Sequence, residues 1–281
     1  MLTPVEPVYL VELFPPLSAE LLALLRSIKR PQWLEQTVCT GWAVRDVTAH
    51  LLDTALRDLS IKRDRMAPRL PDAPITNAAE LAAHINRLNA EWVVAARRIS
   101  PALLVDMLEL VEKQMYTFYR SLPPDGVAVL SMPWSGAKSI PVWLDVARIY
   151  VERWTHQQHI REALGAPLLV ERRWLYPVFD TLVRALPDVY QIVRLPQNTA
   201  LTLRITGEAG GEWSLVRRPS GWRLYTGAPD APQAVVEIDQ DMAWRLMTRN
   251  VSPQTCRACA TLQGDQSLAL QLLMMCATLY G

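Results

Sequence analysis

The sequence lacks the features that mark several large classes of protein. It has only 4 cysteines in 281 residues, too few and too unevenly placed for a disulfide framework. It has no uncharged apolar run of 18 residues, the length that a membrane-spanning helix requires. Its net charge is +1, and its arginines are dispersed rather than clustered into a basic face. We therefore expect neither a disulfide-rich scaffold, nor a membrane protein, nor a nucleic-acid-binding protein.

The first residues of the chain also lack a targeting signal. Residues 1–6 contain neither the basic start nor the apolar block of a signal peptide. We expect a cytoplasmic protein, either a monomer or a homodimer, whose partners are small molecules.

One pair of cysteines has the spacing of a C-x-x-C motif, at Cys256 and Cys259. A structural zinc site would need a second pair of ligands nearby. A redox site would need the pair at the start of a helix that follows a strand. We interpret the pair as two small buried residues near a helix start.

The first 168 residues contain apolar positions at helical spacing, in segments separated by proline and glycine. The predicted helices run from Ser18 to Ile28, from about Arg45 to before Met66, from Asn77 to about Arg98, from Pro101 to Pro123, and from Pro141 to Gly165. Four or five helices with short or proline-broken links are typical of an up-down bundle.

The pattern changes at about Glu171. A helix-like stretch at 172–189 is followed by period-two alternation at 199–205, 212–217, 222–226 and 234–238, and then by helices at 241–249 and 267–280. This order predicts a smaller α+β domain with an antiparallel sheet. The predicted domains are 1–168 and 169–281.

Three side chains of the first domain are candidates for a metal site. Glu152 and His156 are four residues apart, so both side chains point to one place beside the helix. A carboxylate and one imidazole leave a divalent cation under-coordinated. His50 lies at the edge of an apolar stripe, and bundles build metal sites from facing helices. The alternatives are a hydrogen-bonded core histidine and a solvated Glu152–His156 pair.

The same residues resemble a known family. Residues 40–51 are similar to the G-W-x-V-x-D-V-x-x-H-L helix of the DinB-like metal-dependent bundles, in the branch of mycothiol-dependent maleylpyruvate isomerase. Glu152-x-x-x-His156 and the following Ala163-Leu164-Gly165 add to the resemblance. Short motifs at 206–207, 264–265 and 268–269 resemble the sterol-carrier-like domain of this branch. The resemblance implies a DinB-like up-down four-helix bundle followed by a smaller sterol-carrier-like α+β domain.

The resemblance also implies a chemistry. His50, Glu152 and His156 would bind a divalent metal, usually Zn²⁺, with Ni²⁺, Fe²⁺ and Mn²⁺ as alternatives. An open side of the site would hold water or a low-molecular-weight thiol as cosubstrate. The thiolate would add to an electrophile, as in an isomerase or an S-transferase. No catalytic side chain is assigned.

Two residues near the predicted ligands are possible site neighbours. His159 stands where the family often has an acidic residue, so it could be a fourth ligand, a substrate contact or a surface residue. Trp154 could be a packing anchor or could face a substrate pocket. We expect no protein cysteine beside the ligands, so the thiol would be a small molecule. The family also uses a basic residue of the second domain, for which the candidates are Arg217, Arg218, Arg223 and Arg257.

Two other functions compete with the thiol-dependent enzyme. One is a non-catalytic protein that binds an apolar ligand and has a structural or vestigial metal site. The other is a non-haem iron enzyme, because two histidines and one carboxylate also suit Fe(II).

Overall fold

The computed structural model describes residues 1–69, 71, 74–129 and 139–279. These residues form two compact units, neither of which is continuous in sequence. The helical unit comprises residues from 10–129 together with 152–168, and the sheet unit comprises 1–9, 139–151 and 169–279. Among the described helices, none has the length and apolar character needed to cross a bilayer. The division at residue 168 into two domains stays a prediction.

The helical unit is built from the helices that the sequence predicts. They are α1 (Phe14–Ser27), α2 (Val44–Asp58), α3 (Ala78–Ala96), α4 (Pro101–Ser121) and the part of α5 (Val142–Ala163) from residue 152 onward. In this unit α2 packs against α3 and α4, and α4 also packs against α1. Helix α2 therefore lies among the other helices, with apolar residues such as Val47 and Leu51 fully buried.

The starts of these helices follow local capping rules. Helix α1 begins four residues earlier than predicted, because Pro15 and Pro16 occupy its first turn, where a missing N–H costs nothing. The side chain of Asn77 accepts a hydrogen bond from the Glu80 N–H at 3.0 Å and so caps α3. The predicted N-terminus of α3 is confirmed.

The sheet unit contains six strands and five further helices. The strands are β1 (Thr3–Pro4), β2 (Ala200–Thr206), β3 (Gly211–Arg218), β4 (Gly221–Thr226), β5 (Ala234–Asp239) and β6 (Thr261–Gly264). The helices are α6 (Arg172–Leu182), α7 (Leu186–Val189), α8 (Gln240–Met247), α9 (Pro253–Cys259) and α10 (Gln266–Cys276). The strand order is β1-β4-β3-β2-β5-β6. The helix predicted at 172–189 is divided between α6 and α7 by a 3-10 turn.

The sheet is mostly antiparallel, but one central pair is parallel. Strands β2, β3 and β4 form an antiparallel meander, whereas β5 runs parallel to β2, with Leu201 opposite Ala234. The predicted antiparallel sheet is therefore confirmed for most of its strand pairs, and the pairing of β2 with β5 departs from it. Period-two alternation identifies a strand but not its direction, which depends on how the chain returns to the sheet. Strands β1 and β6 were not predicted because they are too short to show alternation.

The C-x-x-C pair lies within α9 rather than at a buried helix start. Cys256 is buried, but Cys259, the last residue of α9, is exposed. Burial raises the pKa of Cys256 to about 11. The prediction that both cysteines are buried is wrong for Cys259, which is exposed at the last position of α9, whereas Cys256 lies one turn earlier and is buried.

Candidate metal centre

Two distant helices bring the three predicted ligands together in the helical unit. His50 lies on α2, while Glu152 and His156 lie on α5, and one donor atom from each is within 4.8 Å of the others. His50 Nε2 is 3.0 Å from Glu152 Oε1. His156 Nε2 is 3.2 Å from the same oxygen. The two imidazoles therefore converge on one carboxylate oxygen.

The two imidazoles of the cluster are buried, and the Glu152 side chain is partly exposed. His50 is 4% exposed and His156 is 9% exposed. The Glu152 side chain is 30% exposed. Solvent or a small molecule can thus approach the cluster beside Glu152.

The position of His50 depends on how α2 begins. The Asp46 carboxylate accepts a hydrogen bond from the Ala43 N–H at 3.1 Å, which satisfies a free N–H of the first turn. The same carboxylate accepts two hydrogen bonds from the Arg97 guanidinium, both at 3.0 Å. Because Arg97 follows α3, this bidentate pair fixes the first turn of α2 to the end of α3. His50 is placed one turn later on the same helix.

The position of Glu152 depends on its neighbour Arg153. The Arg153 guanidinium is buried and forms an ion pair with the buried Glu112 of α4. It also donates to the Leu51 carbonyl oxygen at 3.4 Å and to Thr54 Oγ1 at 3.3 Å, both on α2. Arg153 therefore ties α5 to α4 and to the residue after His50. These contacts fix the position of His50 on α2 relative to Glu152 and His156 on α5.

The three side chains shift one another's pKa values. Burial lowers the pKa of His50 and outweighs the opposing effect of Glu152. Burial also disfavours protonated His156, but Glu152 and Cys39 outweigh it and raise the pKa of that imidazole. Burial disfavours ionised Glu152, yet the two histidines hold the pKa of its carboxyl well below the usual value. Without a cation, the cluster is thus a carboxylate facing one protonated and one neutral imidazole.

The donor set fits a divalent cation. Tetrahedral Zn²⁺ with bonds of about 2.0–2.1 Å separates its donor atoms by about 3.4 Å. The distances of 3.0 and 3.2 Å from Glu152 Oε1 to the two histidine nitrogens are close to that value. His50 Nδ1 is buried and makes no hydrogen bond to a described residue, so the ring is oriented by its contact through Nε2. Two imidazoles and one carboxylate are an established ligand combination for zinc.

The two predicted neighbours of the site are both buried. His159 is 5% exposed, and its ring centroid lies 5.2 Å from that of His156. His159 therefore belongs beside the cluster, not on the surface of α5. Trp154 is completely buried, which agrees with a packing anchor.

A cysteine lies beside the cluster, contrary to our expectation. The donor atoms of Cys39, His156 and His159 lie within 4.8 Å of one another. Cys39 Sγ is 3.2 Å from His159 Nδ1. The expectation failed because Cys39 belongs to a turn before α2, and only the tertiary structure decides which way that turn faces. The sequence feature that could have revealed Cys39 was its position in the segment that leads into α2 and His50.

The turn that carries Cys39 is held by its own hydrogen bonds. The Trp42 N–H donates to the Cys39 carbonyl oxygen at 2.9 Å, and the Cys39 N–H donates to Thr37 Oγ1 at 3.2 Å. Gly41 adopts a φ of 77° within this turn, a conformation that costs glycine little. The ring of Trp42 then lies 5.1 Å from that of His50. The turn thus places the Cys39 thiol beside His159 and the Trp42 indole beside His50.

One of the solved structures that match this chain has the same fold. It is the crystal structure of a histidine-to-alanine mutant of the mycothiol-dependent maleylpyruvate isomerase, with a TM-score of 0.53 and 14% identity over 90% of this chain and 91% of that chain. The unmutated isomerase gives a TM-score of 0.47 at 14% identity, over 85% of this chain and 88% of that chain. The sterol carrier protein domain 2 of Helicoverpa armigera gives 0.28 at 13% identity, over 39% of this chain and 87% of that chain. At these identities the first match shows a shared fold, a helical N-terminal region followed by a mostly antiparallel sheet domain.

Comparison by sequence gives the family. No protein of curated function matches this chain significantly. The family model described as the mycothiol maleylpyruvate isomerase N-terminal domain matches residues 14–161, which is more than half of the 281 residues. The matched range contains His50, Glu152, His156 and His159. The chain therefore belongs to the mycothiol maleylpyruvate isomerase N-terminal domain family.

Proposed function

We propose that this chain is a metal- and thiol-dependent enzyme, an isomerase or S-transferase that acts on a small electrophile. His50, Glu152 and His156 hold a divalent cation, with Zn²⁺ as the expected metal. The observation that carries this proposal is the convergence of two imidazole nitrogens on one Glu152 oxygen, at 3.0 and 3.2 Å. Membership of the family supports it, since both matched isomerase structures are named as mycothiol-dependent.

The three side chains prepare the site for a thiol. Two neutral imidazoles and one carboxylate would leave about one positive charge on a divalent cation and at least one free coordination position. A cation bound there lowers the pKa of a thiol that reaches it, and so supplies a thiolate at neutral pH. Glu152 is the partly exposed member of the cluster. We therefore place the entry of the thiol on the Glu152 side.

The reaction consists of thiolate addition to an activated carbon–carbon double bond. In an isomerase, the new carbon–sulfur bond turns the double bond into a single bond, rotation follows, and the thiolate is expelled as the double bond forms again. In an S-transferase, the carbon–sulfur bond is kept and the carbon next to it takes a proton. Mycothiol and maleylpyruvate, which the names of the matched enzymes specify, are the first thiol and electrophile to test.

We also propose the finer architecture that accompanies this function. Residues 1–168 would form a DinB-like up-down four-helix bundle that carries the cation, and residues 169–281 a sterol-carrier-like α+β domain. The packing of α2 against α3 and α4, and of α4 against α1, supports the first part. The six-stranded sheet, of which β2 to β6 follow residue 168, supports the second.

The experiment is a thiol-consumption assay on the full chain. The purified protein is incubated with maleylpyruvate and either mycothiol or another low-molecular-weight thiol, with and without a chelator, and products are followed by NMR. Isomerisation with thiol conserved identifies an isomerase, and loss of one thiol per product identifies a transferase. Both reactions should stop with chelator and in His50→Ala.

The control is His84→Ala, which alters a histidine of α3 whose ring contacts Arg87. Activity in this variant should equal that of the unmutated chain. A chain that binds metal but converts no electrophile with any thiol would contradict the proposal and favour a ligand-binding protein.

A further inference from the structure

The helical unit contains a second group of metal-binding side chains that overlaps the first. Cys39, His156 and His159 offer one sulfur and two nitrogens within 4.8 Å of one another. His156 belongs to both groups. The second group differs from the first in chemistry, because a thiolate replaces the carboxylate oxygen.

A sulfur donor changes which cations the group prefers. Thiolate is a soft ligand that favours zinc and other thiophilic ions, whereas carboxylate also suits harder ions such as Mn²⁺. Zinc sites with one cysteine and two histidines meet the same bond lengths as other zinc sites, about 2.3 Å to sulfur and about 2.0–2.1 Å to nitrogen. The chemistry of the group therefore points to a thiophilic divalent cation.

The two groups compete for one imidazole. A neutral imidazole has one acceptor nitrogen, so His156 binds one cation at a time. A cation held by Cys39 would take His156 away from His50 and Glu152. The cluster would then exist in two coordination states, one based on oxygen and one based on sulfur.

The fold places the three donors before any cation arrives. His156 and His159 are three residues apart on α5, so their rings share one face, with centroids 5.2 Å apart. Cys39 is held opposite by its turn, with Sγ 3.2 Å from His159 Nδ1. His156 and His159 are buried, whereas Cys39 is half-buried, so a cation can reach the sulfur from solvent.

We propose that Cys39, His156 and His159 form a second ligand set that binds a thiophilic divalent cation through the Cys39 sulfur, in exchange with the set that contains Glu152. On binding, the S–H bond of Cys39 breaks, the proton goes to water and the sulfur–metal bond forms, with no change of oxidation state. This ligand set shares His156 with the proposed metal centre but does not require a thiol cosubstrate.

The test is an anaerobic titration of the full chain with Co²⁺, which reports a thiolate ligand through an intense sulfur-to-cobalt absorption in the near ultraviolet. The decisive variant is His50→Ala, which breaks the first set and leaves the second intact. We expect the band in the unmutated chain to persist in His50→Ala and to disappear in Cys39→Ser. In His159→Ala the affinity for Co²⁺ that the band reports should fall by about tenfold or more.

The Cys256–Cys259 pair supplies the matched control, because it could also bind cobalt through sulfur. The band should be unchanged in Cys259→Ser, which removes an exposed cysteine of α9. A band that persists in Cys39→Ser and is lost in Cys259→Ser would overturn the proposal. A band lost in His50→Ala but kept in His159→Ala would also overturn it, since the sulfur would then belong to the first set.

A measurement on the unmutated chain avoids any folding defect in the variants. Cd²⁺ should slow the alkylation of Cys39 by iodoacetamide, read by mass spectrometry, while Cys259 reacts at its usual rate, because a metal-bound thiolate is a poor nucleophile. Equal rates of Cys39 alkylation with and without Cd²⁺ would overturn the proposal of a second ligand set. Since neither readout depends on turnover, the proposed function and this site can fail independently.

Discussion

His50 and Glu152 are 102 positions apart in the chain, yet His50 Nε2 lies 3.0 Å from Glu152 Oε1. This contact joins α2 to α5 at the point where His156 also meets Glu152. The first prediction concerns the metal that this contact would hold. Protein purified without added metal should contain roughly one equivalent of zinc, and His50→Ala and His156→Ala should each lose most of it, because removing one of three ligands weakens a zinc site severely.

Elemental analysis provides the measurement, with His84→Ala as the control histidine. That variant should keep the full metal content. Unchanged zinc in His50→Ala and His156→Ala would show that the ion is held elsewhere. Iron in place of zinc would favour the non-haem iron enzyme.

The second prediction concerns the buried pair that anchors α5. Glu112→Gln leaves the Arg153 guanidinium buried without its carboxylate. We expect this change to lower the free energy of unfolding by about 3–5 kcal/mol, measured by denaturant titration. Cation affinity should fall as well, because Arg153 also contacts the Leu51 carbonyl beside His50.

The matched control for this pair lies on the same helix. Glu109 of α4 pairs with Arg26, whose side chain is 51% exposed. Solvent screens that pair, so Glu109→Gln should lower the free energy of unfolding far less than Glu112→Gln does. Equal losses of stability in Glu112→Gln and Glu109→Gln would mean that the buried Arg153 guanidinium does not need the Glu112 carboxylate as its partner.

The third prediction concerns the start of α2. Asp46→Asn removes the charge that holds Arg97 and weakens the bond to the Ala43 N–H. We expect a loss of about 1–3 kcal/mol in the free energy of unfolding, together with weaker cation binding, because the turn before His50 would fray. Hydrogen exchange of the first-turn amides of α2 measures the fraying directly.

Asp106→Asn is the control for this change, since Asp106 is exposed on α4. Its effect should stay within about 0.5 kcal/mol. If Asp46→Asn left both stability and hydrogen exchange unchanged, the bidentate contact with Arg97 would not be what positions the helix.

The fourth prediction concerns the turn that carries Cys39. Gly41 has a φ of 77°, and a Cβ at this position would meet no atom within 4 Å. Gly41→Ala should therefore cost about 1–2 kcal/mol through backbone strain alone. Because the turn would relax, the sulfur-to-cobalt absorption should also weaken.

Gly165→Ala separates the two effects. Gly165 has a φ of 62° and equally open surroundings, but it follows the C-terminus of α5 and is not part of the Cys39 turn. Its loss of stability should be similar, and its cobalt spectrum should match that of the unmutated chain. If the cobalt spectrum changed equally in Gly41→Ala and Gly165→Ala, the change would result from general destabilisation and not from the Cys39 turn.

Local sequence signals were sufficient to predict the helices, and together with the family resemblance they named the three candidate ligands. Asn77 caps α3 as its side chain predicts, since capping involves only neighbouring residues. The spacing of Glu152 and His156 likewise fixes their shared face, because four residues make about one helical turn. His50 was named from its place on an apolar stripe and from the family resemblance. That these three residues bind a metal stays a prediction.

Other features depend on contacts between segments that are far apart in the chain. The parallel pairing of β2 with β5 follows from the path of the chain between strands, which alternation does not encode. The position of Cys39 beside His159 follows from the direction in which a glycine-containing turn folds back. Local periodicity therefore predicted the helices and the cap of α3, whereas His50, Glu152 and His156 were named as donors with the help of the family resemblance. Only the tertiary structure decided that a cysteine joins them, because a contact across 120 positions is set by packing.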